Sequence, residues 1–187
     1  MANPLLDRTL PEHLAEQRQT IDRVEKLSTL ERLAAIVEAD LGALPDGKIP
    51  PGWRDSPVTI RLEFGFADVG ERLPQLTGTV AACIYAVCQR CLEPCEVRLE
   101  ESLKLLLVEY GSAATEGAGY EAWELHDTLL RPLDVVEETL IMALPISPMH
   151  ASIEACGPLV EHIGSKPAAT DTVRPFADLK ARIDKTE

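Results

Sequence analysis

The chain has 187 residues and carries 31 acidic residues against 18 lysines and arginines, which gives a formal net charge of −13. Proteins that bind RNA or DNA tightly neutralise phosphates with Lys and Arg, so this charge argues against direct nucleic-acid binding. It favours a basic protein partner, or it serves only to keep the protein in solution. No run of about 18 apolar residues is present, which predicts that the chain does not span a membrane.

The N-terminal part of the sequence is polar. Residues 1–7 lack the basic region and apolar core of a secretory signal, so we expect a cytoplasmic protein whose five cysteines are thiols or metal ligands rather than disulfides. Residues 1–20 are predicted to be a flexible segment, with a short helix possible at 11–18. A Ser28-Thr29-Leu30-Glu31 capping box then predicts a helix over 29–42, whose apolar face contains Leu30, Leu33, Val37 and Leu41.

Strands dominate the middle of the chain. Apolar residues alternate strictly with polar ones from Val58 to Phe66, which predicts a half-buried strand. Residues 76–87 and 96–109 are predicted to form two further strands, with Cys88–Cys95 at the tip of the hairpin between them. A short strand is predicted at Ala122–Leu125.

A second helix is predicted over 132–143. It begins at Pro132, a residue favoured at the first helical position, and ends before Pro145. The stiff segment 145–148 then leads to His150. Residues 157–187 are predicted to be largely unstructured. The expected fold class is α+β, a mainly antiparallel sheet with two packed helices.

Two pairs of residues have the spacing of a metal site. Cys88 and Cys91 lie two residues apart, and His150 and Cys156 follow far downstream. Zinc prefers four such nitrogen and sulfur ligands in closed structural sites, so the pattern predicts that zinc holds the hairpin tip to the segment after the second helix. Four protein ligands leave no open position for water, so the site would be structural. The alternative is that His150 and Cys156 are loop residues without a ligand role.

Other interpretations of these residues remain open. Cys95 could replace one ligand, or pack in its strand as a small hydrophobic residue. A redox pair formed by Cys88 and Cys91 should lie at the start of a helix, whereas a strand is predicted there. Arg90 could contact a carboxylate or phosphate on a partner, or be solvated. Neither a Gly-rich phosphate loop nor a His-Glu-x-x-His motif is present, which favours a non-enzymatic protein without a small-molecule substrate.

Three segments resemble the YceD-like family, the large ribosomal RNA accumulation proteins of bacteria and plastids. They are Cys88-Gln89-Arg90-Cys91-Leu92-Glu93-Pro94, the acidic segment 135–145 with Pro148-Met149-His150 after it, and Pro175-Phe176-Ala177-Asp178-Leu179. The resemblance runs from about residue 20 to the end. It implies a YceD-like domain over 21–156 and a tail over 157–187 that carries the Pro-Phe-Ala-x-Leu motif.

The resemblance implies a role in making or protecting 23S rRNA and supplies no catalytic residues. Together with the charge, it leads us to expect a basic ribosomal protein or a pre-ribosomal particle as partner. The acidic positions 100–101 and 134–138 and the tail are candidate contact surfaces, and the predicted partner-binding residues are Arg90, Glu137, Glu138 and Phe176. One alternative is a direct RNA-binding zinc module that uses Arg54, Arg61, Arg90 and Arg98, and another is a thiol-redox protein that uses Cys88 and Cys91.

Overall fold

A five-stranded sheet forms the centre of the fold. The computed structural model describes residues 3–68, 72–111 and 119–159. In chain order these residues form α1 (Pro11–Glu16), β1 (Thr20–Lys26), α2 (Glu31–Leu41), β2 (Pro57–Asp68), β3 (Arg72–Val87), β4 (Pro94–Glu109), β5 (Glu121–Leu125) and α3 (Pro132–Met142). Short 3-10 helices lie at Leu27–Thr29, Asp46–Lys48, Trp53–Asp55 and Glu154–Leu159.

The strands follow one another across the sheet in the order β1-β2-β3-β4-β5. Neighbouring strands are antiparallel except β4 and β5, which are parallel. The predicted α+β class with a mainly antiparallel sheet is therefore confirmed. The predicted hairpin of residues 76–87 and 96–109 is also confirmed, and both of its strands extend beyond the predicted bounds.

The hydrophobic core lies on one face of the sheet. Val58, Ile60 and Leu62 of β2 point into it and are almost completely buried, while the alternating Thr59 and Arg61 lie on the other face, as the period of two requires. All three helices contribute to the same core cluster. At Gly78 of β3 a Cβ would lie 2.0 Å from the carbonyl oxygen of Arg61, so only glycine allows this close approach of β2 and β3.

The start of α2 differs from the sequence-based prediction. The helix begins at Glu31, and no side chain of its own segment caps it, so the predicted capping box is wrong; Ser28 belongs instead to the preceding 3-10 helix. The cap comes from α3. Oε1 of Glu137 accepts hydrogen bonds from the backbone N–H groups of Arg32 at 2.7 Å and Leu33 at 3.1 Å, which satisfies two donors that a helix leaves open at its N-terminus.

The N-terminal segment contains the possible short helix, as α1, and further contacts that the sequence pattern does not reveal. Leu5 and Leu14, from the stretch predicted to be flexible, are buried, and Thr9 and Leu130 exchange backbone hydrogen bonds. The strand β1 was missed. It lies at the sheet edge and Val24 is 65% exposed, so its sequence carries little hydrophobic signal. Among the described residues, none of the helices is long and apolar enough to cross a membrane.

Candidate metal centre

The tip of the β3–β4 hairpin is a tight turn that begins at Cys88. The N–H of Cys88 donates to the carbonyl of Glu93 at 2.9 Å, and the N–H of Leu92 donates to the carbonyl of Cys88 at 2.8 Å. Leu92 adopts a left-handed conformation with φ of 58°, which is unfavourable for a residue with a Cβ. The turn folds the chain back so that Cys88 and Cys91 lie together, and the predicted hairpin-tip position of this pair is confirmed.

The segment after α3 reaches the same tip. The N–H of Gln89 donates to the carbonyl of Pro148 at 2.9 Å, so the segment is held against the turn two residues before His150. Cys156 follows in the 3-10 helix Glu154–Leu159. The structure therefore brings the two distant pairs of the sequence pattern to one place.

The four side chains are close enough to share one metal ion. The ligand atoms of Cys88, Cys91, His150 and Cys156 all lie within 4.8 Å of one another. His150 Nδ1 lies 3.5 Å from Cys91 Sγ and 3.6 Å from Cys156 Sγ. In a tetrahedral zinc site with Zn–S of about 2.3 Å and Zn–N of about 2.0–2.1 Å, sulfur and nitrogen ligands are about 3.6 Å apart. The distances from His150 to the two thiols fit this geometry, and the four side chains together could hold a metal ion.

The thiols of the group differ in their pKa. Burial works against ionisation of Cys88, but hydrogen bonds from the backbone N–H groups around the turn and at His150 outweigh it and lower the pKa of this thiol to about 5. The pKa of Cys156 is raised to about 11, mainly by burial and to a smaller extent by hydrogen bonds to Cys91 and Cys88. One thiol is thus prepared to bind as a thiolate, whereas Cys156 must release its proton to the solvent when a metal ion binds.

Cys95 lies beside this group without belonging to it. It is a buried residue of β4 and packs in one small cluster with Cys88, Cys91 and Cys156. The set of potential ligand atoms found in the described ranges does not include its Sγ. The pKa of Cys95 is raised to about 11, mainly by burial and to a smaller extent by the negative charge of the nearby thiolates. This environment suits the alternative of a small hydrophobic strand residue.

Arg90 has an internal role that the sequence did not predict. Its guanidinium donates to the backbone carbonyls of His150 and Ser152, so this side chain connects the turn to the segment that carries His150. Its role as a partner-binding residue stays a prediction. Within the described ranges, its Nε is buried without a hydrogen-bond partner.

The other predicted partner-binding residues lie in different environments. Glu137 is only 3% exposed, and its carboxylate caps α2, so its prediction as a contact surface is corrected to a role inside the fold. Glu138 is on the surface, where it pairs with Arg32 at 2.8 Å, and its partner role stays a prediction. Phe176 lies outside the described residues.

One residue that positions the site was missed. Oδ2 of Asp40, in α2, accepts a hydrogen bond from the N–H of Val87 at 2.7 Å. Val87 is the last residue of β3 and directly precedes Cys88. In the sequence Asp40 is one more charged residue of a polar helix face, and nothing in that pattern indicates a partner 47 positions away.

The geometry does not favour a redox pair. The lowered pKa of Cys88 is a property that a reactive thiol would share, but it comes from hydrogen bonds at His150 and around the turn and not from a helix. Cys88 and Cys91 lead into the strand β4, whereas a Cys-x2-Cys pair of the thioredoxin type lies at the N-terminus of a helix. The side chains of His150 and Cys156 also lie against the pair.

Comparison with protein families gives a match. The family model described as large ribosomal RNA subunit accumulation protein YceD matches residues 76–181, which is more than half of the chain. In the described residues this range begins in β3 and includes the hairpin tip, α3 and all four potential metal ligands. Comparison with curated proteins and with solved structures returns no match.

Proposed function

The chain belongs to the YceD family of large ribosomal RNA subunit accumulation proteins, and we propose that it is a non-enzymatic factor that supports the accumulation of 23S rRNA by binding a basic protein of the assembling large subunit. The observation that carries the proposal is the family match itself, because it covers the hairpin tip between β3 and β4, α3 and the four potential ligands. The compartment this requires is the one in which ribosomes are assembled.

We propose zinc as the ion of the metal centre. Three cysteines and one histidine suit zinc better than magnesium or calcium, which prefer oxygen ligands. A closed set of four protein ligands keeps no position for a substrate or a catalytic water. The ion would then act through the fold, by holding the hairpin tip and the segment after α3 in one arrangement.

The charge distribution supports a basic protein as the direct partner. Residues 160–187 contain five acidic and five basic residues, so the whole net charge of −13 belongs to residues 1–159. Of the arginines that an RNA-binding surface would need, Arg90 binds backbone carbonyls. Arg54 and Arg61 are on the surface, where the neighbouring carboxylates of Glu38 and Asp22 offset their charge. An acidic surface attracts Lys and Arg of a protein and repels phosphates.

The ratio of large- to small-subunit rRNA in cells that lack the gene tests the proposal. We expect the ratio to fall and to return when the wild-type gene is supplied. An unchanged ratio in the deletion strain would contradict the proposed function. Tight, steeply salt-dependent binding of the purified protein to 23S rRNA alone would instead support a direct RNA contact.

A further inference from the structure

Most of one side of β4 is open. The strand runs from Pro94 to Glu109, but β5 pairs only with residues 105–109. In the ranges that the structure describes, no strand pairs with the same side of β4 between residues 94 and 104. A strand edge of this kind presents N–H and C=O groups that can pair with another extended chain.

The phase of the β3–β4 ladder identifies these groups. Cys88 donates to Glu93 across the hairpin, and residues of an antiparallel ladder turn their backbone groups alternately toward the partner strand and away from it. Residues 95, 97, 99 and 101 therefore face β3. The outward-facing residues are Glu96, Arg98, Glu100 and Ser102. Pro94, which has no N–H to donate, falls in the outward phase.

A cleft lies beside each end of this open edge. A cleft of about 930 Å³ lies along Pro94–Arg98, and the segment after α3, including Met149, forms its wall. A second cleft of about 550 Å³ lies along residues 101–105, and the end of α3, including Met142, forms its wall. Met149 is 49% and Met142 78% exposed. Methionine side chains are flexible and apolar, and they suit surfaces that adapt to a partner.

We propose that the open edge of β4 binds an extended segment of the basic protein partner by strand addition. The partner backbone would bond to the outward-facing groups at residues 96–102, its apolar side chains would contact Met142 and Met149, and alternate side chains would lie near the acidic residues. The inference rests on the proposed function for the identity of the partner, and it adds the surface and the mode of binding.

The charge of the edge selects the chemistry of the segment. Glu96, Glu100 and Glu101 are exposed. The basic residues of the same stretch are Arg98 and Lys104, and the ammonium group of Lys104 lies over the ring of Tyr120. Opposite charges on neighbouring strands attract and like charges repel. A segment in which Lys or Arg alternates with apolar residues therefore fits, and an acidic segment does not.

Ser102→Pro tests the proposal with Ser102→Thr as its matched control. Proline at this position removes an outward N–H and leaves the bonds to β3 intact, whereas threonine keeps the N–H and suits a strand. The probe is the protein mixture extracted from the large ribosomal subunit, and binding is measured on the full chain. We expect Ser102→Pro to weaken binding about tenfold or more, the effect of one lost hydrogen bond together with a poorly fitting ring. Ser102→Thr should bind like the wild type.

Amide hydrogen exchange of the wild-type protein locates the site even where the proline variant does not fold. The amides of Glu96, Arg98, Glu100 and Ser102 should exchange quickly in the free chain and slowly in the complex. Slow exchange in the free chain would show that another segment of the chain or a second copy already covers the edge, which overturns the proposal. Equal binding by Ser102→Pro without amide protection would overturn the strand addition alone, whereas failure of the wild type to bind any extracted protein would overturn the proposed partner as well.

Discussion

The cap that α3 supplies to α2 gives a stability prediction for Glu137→Gln. The carboxylate is 3% exposed, and a single oxygen accepts two backbone hydrogen bonds, from Arg32 and Leu33. Glutamine can keep these bonds through its amide oxygen, but it replaces charge-assisted bonds by neutral ones and buries an amide N–H₂ group without a partner. A buried unsatisfied donor costs about 1–3 kcal/mol, and charged acceptors bind about twice as strongly as neutral ones. Loss of the desolvation cost of the charge offsets part of this, so we expect Glu137→Gln to lower the free energy of unfolding by about 2 kcal/mol.

Glu138→Gln is the matched control because it changes the same group one residue along the helix. Glu138 forms a surface ion pair with Arg32, and exposed pairs of this kind contribute about 0–1 kcal/mol. The assay is urea unfolding of both variants at one pH, followed by helix signal, with the slope of the transition compared as a check on two-state behaviour. Amide exchange at Arg32 and Leu33 should speed up in Glu137→Gln alone. Equal losses of stability in the two variants would refute the capping argument.

Three further predictions concern the hairpin tip. Cys88→Ser should lose its bound metal. At a free zinc concentration several hundredfold above the Kd, this loss should lower the free energy of unfolding by about 3–4 kcal/mol, as measured by metal content and thermal unfolding. The control Cys83→Ser changes a thiol of β3 outside the ligand group and should alter neither quantity. Asp40→Ala should lower stability by about 1 kcal/mol and speed amide exchange at Val87, and unchanged exchange there would contradict its positioning role. Leu92→Gly should raise the melting temperature, because the left-handed conformation at φ of 58° costs about 1–2 kcal/mol for a residue with a Cβ; a lower melting temperature would show that the exposed leucine side chain contributes more than the strain.

The features that the sequence predicted are those with a local signal. The strict alternation from Val58 to Phe66 corresponds to one buried face of β2. The Cys88-x-x-Cys91 pair needs only a tight turn, and the strands on both sides predict one. For His150 and Cys156 the prediction came from the chemistry of the ligands, because zinc sites require a second pair whatever its distance along the chain.

The features that were missed depend on contacts between distant residues. The capping box was a valid local pattern, but the buried carboxylate of Glu137, about one hundred residues away, supplies the cap instead. An acidic residue in an acidic helix segment is normally exposed, so the burial of Glu137 could not be predicted from composition. The bonds of Arg90 to the segment 150–152 have the same cause. Among the described strands, β1 pairs with β2 alone, and its polar sequence gives no period that distinguishes it from a loop.

The long-range contacts connect the metal centre to the core. Asp40 links α2 to the last residue of β3, Glu137 links α3 to the start of α2, and the chain after α3 supplies His150. A change at the hairpin tip therefore reaches both helices through hydrogen bonds. It also reaches the open edge of β4, since the segment with Met149 forms one wall of the cleft there. The proposed partner surface and the metal centre should consequently lose function together.

The zinc content of the native protein tests the metal centre most directly. The protein would be purified from its own cells without an affinity tag that binds metals, and the intact mass under native conditions would be compared with elemental analysis. We predict one zinc ion per chain and a lower melting temperature after the ion is removed by a chelator. A protein that contains no metal as isolated, and whose melting temperature does not change when zinc is added, would contradict this prediction.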